Sequence, residues 1–147
     1  MASRKTKPAS GITFGFWLNH YAHRQNYEVV TEVACMGTKG KKVHPAGIVK
    51  NLFGLGIGLW ESKDEKDAID DEIEVKLKKG YPFANILFKD TQTAVLFQLG
   101  EEVQRVAVRD ADSLHCILSQ FMAFKSDTVY KFEDALEKFK FYKGSSA

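Results

Sequence analysis

The sequence predicts a single α/β domain in which a mixed central sheet is flanked by helices. Its 147 residues are the length of one domain, and no Pro-, Gly- or Ser-rich linker or internal repeat divides them. Apolar periodicity gives the order helix, three strands, helix, three strands, two helices. We expect a folded body over residues 11–143, with a flexible basic tail before it (1–10) and a short tail after it (144–147).

The first half of this body begins with an amphipathic helix near residue 11. Its buried stripe at i, i+3, i+4, i+7 spacing consists of Phe14, Trp17, Leu18 and Tyr21. Residues 27–34 are β-rich and have a period of two, which predicts a strand. After a turn-like segment at residues 37–42, two further strands are predicted at residues 43–50 and 55–61.

The second half begins with a helix predicted over residues 64–79. Asp64 can cap its first turn, acidic residues concentrate near its start and lysines near its end, and this distribution suits the helix dipole. Gly80 and Pro82 end it. Three strands and two helices then close the chain. The strands are predicted at residues 85–89, 93–98 and 102–108, and the helices at residues 112–124 and 128–142.

Composition excludes several classes of protein. With 44% hydrophobic and 27% charged residues, the chain is neither a disordered polymer nor a fibrous repeat. A net charge of +2 is too balanced to indicate a partner. Cys35 and Cys116 lack the spacing of a zinc site and are interpreted as reduced thiols. The chain has no apolar run of membrane-spanning length and no signal-peptide pattern, so we expect a cytoplasmic protein.

The distribution of charge is more informative than its sum. Residues 33–60 contain no acidic residue, and acidic residues then concentrate between residues 61 and 72. The basic residues of the first stretch include Lys39, Lys41, Lys42, His44 and Lys50. A metal-dependent enzyme acting on a phosphodiester needs this combination, because lysines approach the polyanion and carboxylates hold a hard cation. A solvated charged surface explains either half on its own.

The acidic stretch opens with an E-x-K triplet, Glu61-Ser62-Lys63. It ends an apolar strand, and the strand period places Glu61 and Lys63 on the same side. A charge at the end of a buried strand is costly unless it is partnered or used. The alternative interpretation is a surface ion pair worth at most about 1 kcal/mol. We favour a functional site over that alternative.

These residues carry a resemblance to a known family. The pattern HP-x-GIVKN…GLWESKDEKD resembles the core of the PD-(D/E)XK nuclease superfamily. GLWESKDEKD followed by KKGYPFANILFKDTQTAVLFQ is similar to the N-terminal nuclease region of single-chain restriction–modification enzymes, type IIG or ISP-like. The similarity covers residues 14–142. It implies a restriction-endonuclease-like fold, Mg²⁺ (or Mn²⁺) as cofactor, double-stranded DNA as partner, and bacterial cytoplasm as location. It also implies covalent continuation into an N6-adenine methyltransferase, in some members with a helicase.

The resemblance also implies roles for individual residues. Glu61 and the residue at position 46 hold the cation, and the Ser62 backbone carbonyl is a further ligand. Lys63 positions the attacking water near the scissile phosphate. Members of the superfamily often add an earlier glutamate, for which Glu32 is the first candidate and Glu28 the second; an ordinary solvent-facing strand glutamate is the alternative.

Position 46 departs from the family pattern. The superfamily has Asp after Pro, whereas this chain reads Pro45-Ala46-Gly47. Either Ala46 is an Asp→Ala substitution made to silence the nuclease, or the chain is a natural member that lost cleavage. We favour the first interpretation because the rest of the motif is intact. In both cases we expect a chain that cuts DNA little or not at all.

The remaining candidates concern binding. Lys39, Lys41, Lys42 and Lys50 are expected to contact the DNA backbone, and His44 a phosphate, although a local structural role explains His44 equally well. Two rival functions stay open. One is a non-catalytic DNA-binding or docking module on a nuclease fold, and the other is an interaction domain in which E-x-K is accidental.

Overall fold

A computed structural model describes residues 11–65 and 68–145; the predicted basic tail lies outside these residues. The chain forms four helices and eight strands within this part. The helices are α1 (Gly11–Arg24), α2 (Ile69–Lys78), α3 (Ala111–Ala123) and α4 (Asp127–Ser145). The strands are β1 (Glu28–Thr31), β2 (Cys35–Met36), β3 (Lys42–Val43), β4 (Gly47–Lys50), β5 (Gly56–Ser62), β6 (Asn85–Lys89), β7 (Thr93–Gln98) and β8 (Glu101–Ala107).

Six of the strands form one sheet in the order β1-β4-β5-β6-β7-β8. All neighbours are antiparallel except β5 and β6, which are parallel and are connected through α2. The short strands β2 and β3 pair separately as a hairpin. The predicted mixed sheet flanked by helices is therefore confirmed.

The two faces of the sheet bury different clusters. On one face, α1 and α3 pack over a cluster that includes Phe14, Trp60 and Phe121. On the other face, α2 packs through Ile69 and Ile73 on strand residues that include Leu59 and Phe88. Because strand side chains alternate, Trp60 faces the first cluster while its neighbours in sequence face the second.

Gly47 is required by this packing. The indole of Trp60 lies against β4 at this position, and any Cβ at residue 47 would overlap the indole ring. The register pairs Gly47 with Trp60 directly. A glycine therefore fixes how β4 and β5 meet, immediately beside position 46.

Several predicted boundaries are wrong for identifiable reasons. The helix predicted from residue 64 begins at Ile69, and its N-cap, Ala68, makes no side-chain cap hydrogen bond. Instead, the Ala68 amide donates to the Asp90 carboxylate at the end of β6 (3.3 Å). The strand predicted at 27–34 ends at Thr31, because Glu32 has a φ of 55°.

The strand predicted at 43–50 is divided by residues 44–46, which include Pro45. Proline cannot donate to a strand ladder, which explains the interruption. At the C-terminus, α4 includes Gly144 and Ser145, two of the residues assigned to the final tail. No helix in the described part of the chain has the length and apolar character needed to cross a membrane.

Candidate active site

Glu61 is the penultimate residue of β5, which pairs with β6. Its Cα partner is Phe88, and it shares a face with Leu59, which packs on the α2 cluster. Glu61 is only 6% exposed, although it carries a carboxylate. Burying a carboxylate at this depth is costly unless neighbouring groups compensate for the lost hydration.

The neighbouring groups come from α2. Lys76 Nζ lies 3.9 Å from Glu61 Oε2 and 3.2 Å from Glu72 Oε2, and Glu72 Oε1 lies 3.9 Å from Lys63 Nζ. Glu72 and Lys76 are i, i+4 neighbours on the helix surface. The result is a row of alternating charges, Lys63–Glu72–Lys76–Glu61, which links both ends of the E-x-K triplet through α2. We call it the charge row.

Tyr81 lies next to the charge row, just after the C-terminal end of α2. It is 5% exposed, and Lys76 Nζ lies 5.0 Å from the centre of its ring. Burial raises the pKa of the Tyr81 hydroxyl, the negative charge of Glu61 raises it further, and Lys76 opposes both. Tyr81 therefore stays neutral and able to donate a hydrogen bond at ordinary pH.

The pKa of Glu61 is raised, and burial is the largest cause. Lys76 opposes this shift most strongly, and hydrogen bonding by the Tyr81 hydroxyl and the Ala46 backbone amide opposes it further. Burial also acts to lower the pKa of Lys76, but Glu61 and Glu72 outweigh it and leave that pKa raised. Among the described residues, Glu61 Oε2 has no hydrogen-bond partner.

Position 46 lies directly beside this carboxylate. The β4–β5 register pairs Gly47 with Trp60, which places Ala46 next to Glu61, and the Ala46 backbone amide hydrogen-bonds toward the Glu61 carboxylate. The Ala46 methyl is half-buried against the α1-side cluster. The structure thus brings the Ala46 backbone beside the Glu61 carboxylate, with the Ala46 methyl directed to the α1-side cluster. Lys63 lies two residues beyond Glu61, and its side chain is 45% exposed.

The donors present fit a hard divalent cation in kind. Glu61 offers a buried oxygen without a hydrogen bond, which is unusual for a folded protein and is the feature an oxygen-binding cation would use. The set is small, because no group of three or more His, Cys, Asp or Glu side chains that could hold a metal occurs in the described residues.

Glu32 lies at the end of β1 that faces the site. Its neighbour Thr31 pairs with Gly47, so Glu32 continues toward position 46, with an exposed side chain. Its left-handed φ of 55° turns the chain there. The role of Glu32 as a ligand stays a prediction.

The predicted DNA-contacting lysines separate into two places. Lys39, Lys41, Lys42 and His44 lie on the β2–β3 hairpin and after it, where they line a cleft of about 560 Å³ beside Tyr81. Lys50 lies at the other end of β4, where it lines a mainly apolar groove of about 330 Å³. The cleft is next to the charge row, and the position of Lys50 is not.

The sequence-based analysis missed Glu72 and Lys76. Their i, i+4 acid–base spacing on a helix directly after E-x-K is a signal that could have pointed to them.

Fold and site together define a restriction-endonuclease-like α/β domain with a strand-end carboxylate next to an E-x-K lysine. No family model matches the chain, and no curated protein matches it. Among solved structures, a chain of the DrdV–DNA complex determined by cryo-EM is similar, with a TM-score of 0.78 and 43% sequence identity. The similarity covers 88% of this chain and only 13% of that chain.

Proposed function

We propose that this chain is the nuclease domain of a bacterial, cytoplasmic restriction–modification enzyme, a Mg²⁺-dependent endodeoxyribonuclease that hydrolyses phosphodiester bonds in double-stranded DNA. We further propose that Ala46 makes the chain cleavage-deficient. The observation that carries the proposal is Glu61, a buried strand-end carboxylate whose Oε2 is not hydrogen-bonded and which lies beside position 46. The similarity to a chain solved in complex with DNA supports the choice of substrate.

Glu61 and the Ser62 carbonyl are the residues that would hold Mg²⁺ (or Mn²⁺), with a carboxylate at position 46 completing the set. The bound cation would supply Lewis acidity toward the phosphate and toward a water molecule. Lys63, whose side chain is half-exposed, would supply an ammonium to the negative charge that develops during phosphodiester hydrolysis. Glu72 and Lys76 position Lys63 and Glu61 through the charge row.

Ala46 removes one of the two carboxylates from this arrangement. When catalytic groups act as a unit, removing one of them slows the reaction by orders of magnitude. Cation affinity falls as well, because a single carboxylate with one carbonyl is a weak site for a dication. DNA binding through the lysines does not depend on that carboxylate and is expected to persist.

The larger protein is also part of the proposal. The similar chain from the DrdV–DNA complex is much longer than this one, which is compatible with further domains joined to the nuclease. We propose a methyltransferase as such a domain, in some relatives with a helicase, on the basis of the sequence resemblance.

Restoring the carboxylate with Ala46→Asp tests the proposal in two ways. Two adjacent carboxylates repel each other without a cation, so A46D should unfold at a lower temperature than the parent chain in chelator and recover when Mn²⁺ is added. A46D should also nick supercoiled plasmid DNA in Mg²⁺ at least about 100-fold faster than the parent.

Ala46→Asn is the matched control, since it has nearly the same volume as Asp without the charge. It should show neither the Mn²⁺-dependent recovery nor nicking. If A46D resembles A46N in both measurements, the proposed nuclease function is wrong.

A second candidate function, a non-catalytic DNA-binding or docking module, is favoured by Ala46 itself. Under that function the parent chain binds DNA equally well in chelator and in Mg²⁺, and A46D gains no metal dependence of any kind. The two measurements on A46D therefore separate the candidates.

A further inference from the structure

The cleft beside the active site has a second wall that the sequence did not suggest. One wall is the β2–β3 hairpin region with Lys39, Lys41 and Lys42, and the other is the C-terminal turn of α2. Together the two walls place six lysines around one cleft, which are Lys39, Lys41, Lys42, Lys76, Lys78 and Lys79. Among the residues that the structure describes, no acidic one lines this cleft. Like charges held this close repel one another, so the cleft favours an anionic occupant.

The two walls are held together by hydrogen bonds to backbone carbonyls. The Thr38 amide donates to the Gly80 carbonyl (2.7 Å), and Lys39 Nζ donates to the Lys78 carbonyl (2.6 Å). Gly80 has a φ of 88°, the left-handed conformation that glycine adopts readily at a helix end. The cleft is therefore formed before any ligand arrives, and Lys39 acts mainly as a clamp between its walls.

The other lysines differ in how far their charge is already compensated. Lys76 lies at the inner end, only 14% exposed, and is paired with Glu72 and Glu61. Lys78 is 76% exposed and its Nζ lies 3.9 Å from Glu74 Oε2, whose side chain is 67% exposed; an exposed pair of this kind contributes little to stability. Lys41, Lys42 and Lys79 are exposed and form no ion pair within the described part of the chain.

The two ends of the cleft differ in charge compensation and in their distance from Glu61. Its outer end carries exposed, uncompensated ammonium groups from both walls, and its inner end is Lys76, which contacts Glu61 through the charge row. A strand of phosphodiesters lying along it would be led toward the carboxylate. Lysine binds such phosphates as a flexible point charge and reads no sequence.

We propose that this cleft is a phosphate-binding site for duplex DNA, occupied without need of a divalent cation. Lys78, the last residue of α2, and Lys79, its C-cap, contact the DNA backbone opposite Lys41 and Lys42. The inference deepens the proposed function, because it takes DNA as the ligand. It does not require that this chain, or any variant of it, cleave DNA.

The test is equilibrium binding of a fluorescently labelled duplex, measured by anisotropy in chelator across a salt series. K78A/K79A should weaken binding about tenfold or more. It should also reduce the slope of log affinity against log salt by about 1.8, since each lost phosphate contact contributes about 0.9. Both residues are exposed at the C-terminal end of α2, so the variant should keep the thermal unfolding midpoint of the parent chain.

The matched control is K131A/K138A on α4, which removes the same charge from two lysines that are 75% and 80% exposed and lie outside the cleft lining. It should change affinity less than twofold. If the two double variants weaken binding equally, or if K78A/K79A binds like the parent, the cleft is not the binding site.

The outcome is separable from that of the nuclease proposal. Unchanged binding by K78A/K79A together with metal-dependent nicking by A46D overturns the cleft and leaves the nuclease. Lost binding by K78A/K79A together with an A46D variant that ignores metal overturns the nuclease and supports the cleft.

Discussion

Two buried carboxylates lie at the ends of two neighbouring parallel strands, and they differ in their hydrogen bonding. Asp90 follows β6 and is 1% exposed; Glu61 lies near the end of β5 and is 6% exposed. Both Asp90 oxygens accept backbone hydrogen bonds, Oδ1 from Gln92 and Thr93 (2.8 and 2.7 Å) and Oδ2 from Ala68 (3.3 Å). Glu61 Oε2 accepts none and faces a lysine ammonium 3.9 Å away.

The difference separates Asp90, whose contacts are structural, from Glu61, for which we propose a functional role. Backbone amides are fixed, so Asp90 is committed to a turn and to the start of α2. The ammonium of Lys76 is on a flexible stem and can be replaced by another cation. Burial alone does not identify a site; a buried oxygen left without a hydrogen bond does so more specifically.

The largest expected difference between these residues is in catalysis. In the A46D background, Glu61→Gln should lower Mg²⁺-dependent nicking about 10³-fold or more, because a residue of a cooperating unit is lost. Asp90→Asn in the same background should lower it far less. Single-turnover nicking of supercoiled DNA measures both. Equal losses would mean that Glu61 has no special role.

For stability we expect the reverse order, in which substitutions of Asp90 destabilise the fold more than substitutions of Glu61. Asp90→Ala leaves up to three backbone amides without their acceptor and should lower the free energy of unfolding by about 2–4 kcal/mol. Asp90→Asn keeps the Oδ1 acceptor and should cost less. Urea denaturation of the two variants checks this, and an unchanged midpoint for D90A would contradict a structural role.

Glu61→Gln in the parent chain should stabilise rather than destabilise at neutral pH. Because the folded state raises the pKa of Glu61, the folded protein binds the proton more tightly than the unfolded chain does. The parent therefore loses stability as the pH rises from the ordinary glutamate pKa through the raised one. E61Q lacks this loss. Thermal unfolding in chelator should give E61Q the higher midpoint at pH 7, with the gain vanishing below the ordinary glutamate range.

The smallest expected effect on stability concerns an exposed carboxylate, Glu102. At the surface, Arg105 donates hydrogen bonds to Glu102 (3.0 Å) and Asp70 (2.9 Å), and the bond to Glu102 lowers the pKa of that carboxyl. Arg105→Gln should cost less than about 1 kcal/mol, since solvent screens the pair. The cost should be present above the ordinary glutamate pKa and disappear as the pH falls through the lowered one. A loss as large as that of D90A would contradict this ranking.

Local patterns predicted some parts of the fold well. The bounds of β6 and β7 agree with their predicted residues, because apolar content and turn residues define both strands within a few positions. The start of α2 could not be predicted in the same way. Asp64 is a residue type that commonly caps helices, but the helix begins after Ala68. The Ala68 amide donates to Asp90, 22 residues away. Long-range contacts of this kind leave no local pattern.

The same limit applies to the site. E-x-K and the departure from the family pattern at position 46 were visible in the sequence because they are short motifs, and the strand period predicted Glu61 and Lys63 on one side. That Lys76 contacts Glu61 depends on how α2 packs across the sheet. That α2 forms half of the basic cleft depends on the hairpin docking at Gly80.

The indole of Trp60, seated on Gly47 and adjacent in sequence to Glu61, gives the chain an internal optical reporter. The chain has one other tryptophan, Trp17, which is 43% exposed and can be replaced by phenylalanine. Emission from the W17F variant would then come from a single buried fluorophore beside the carboxylate. Occupancy of the site would be readable in real time, without a label and without turnover.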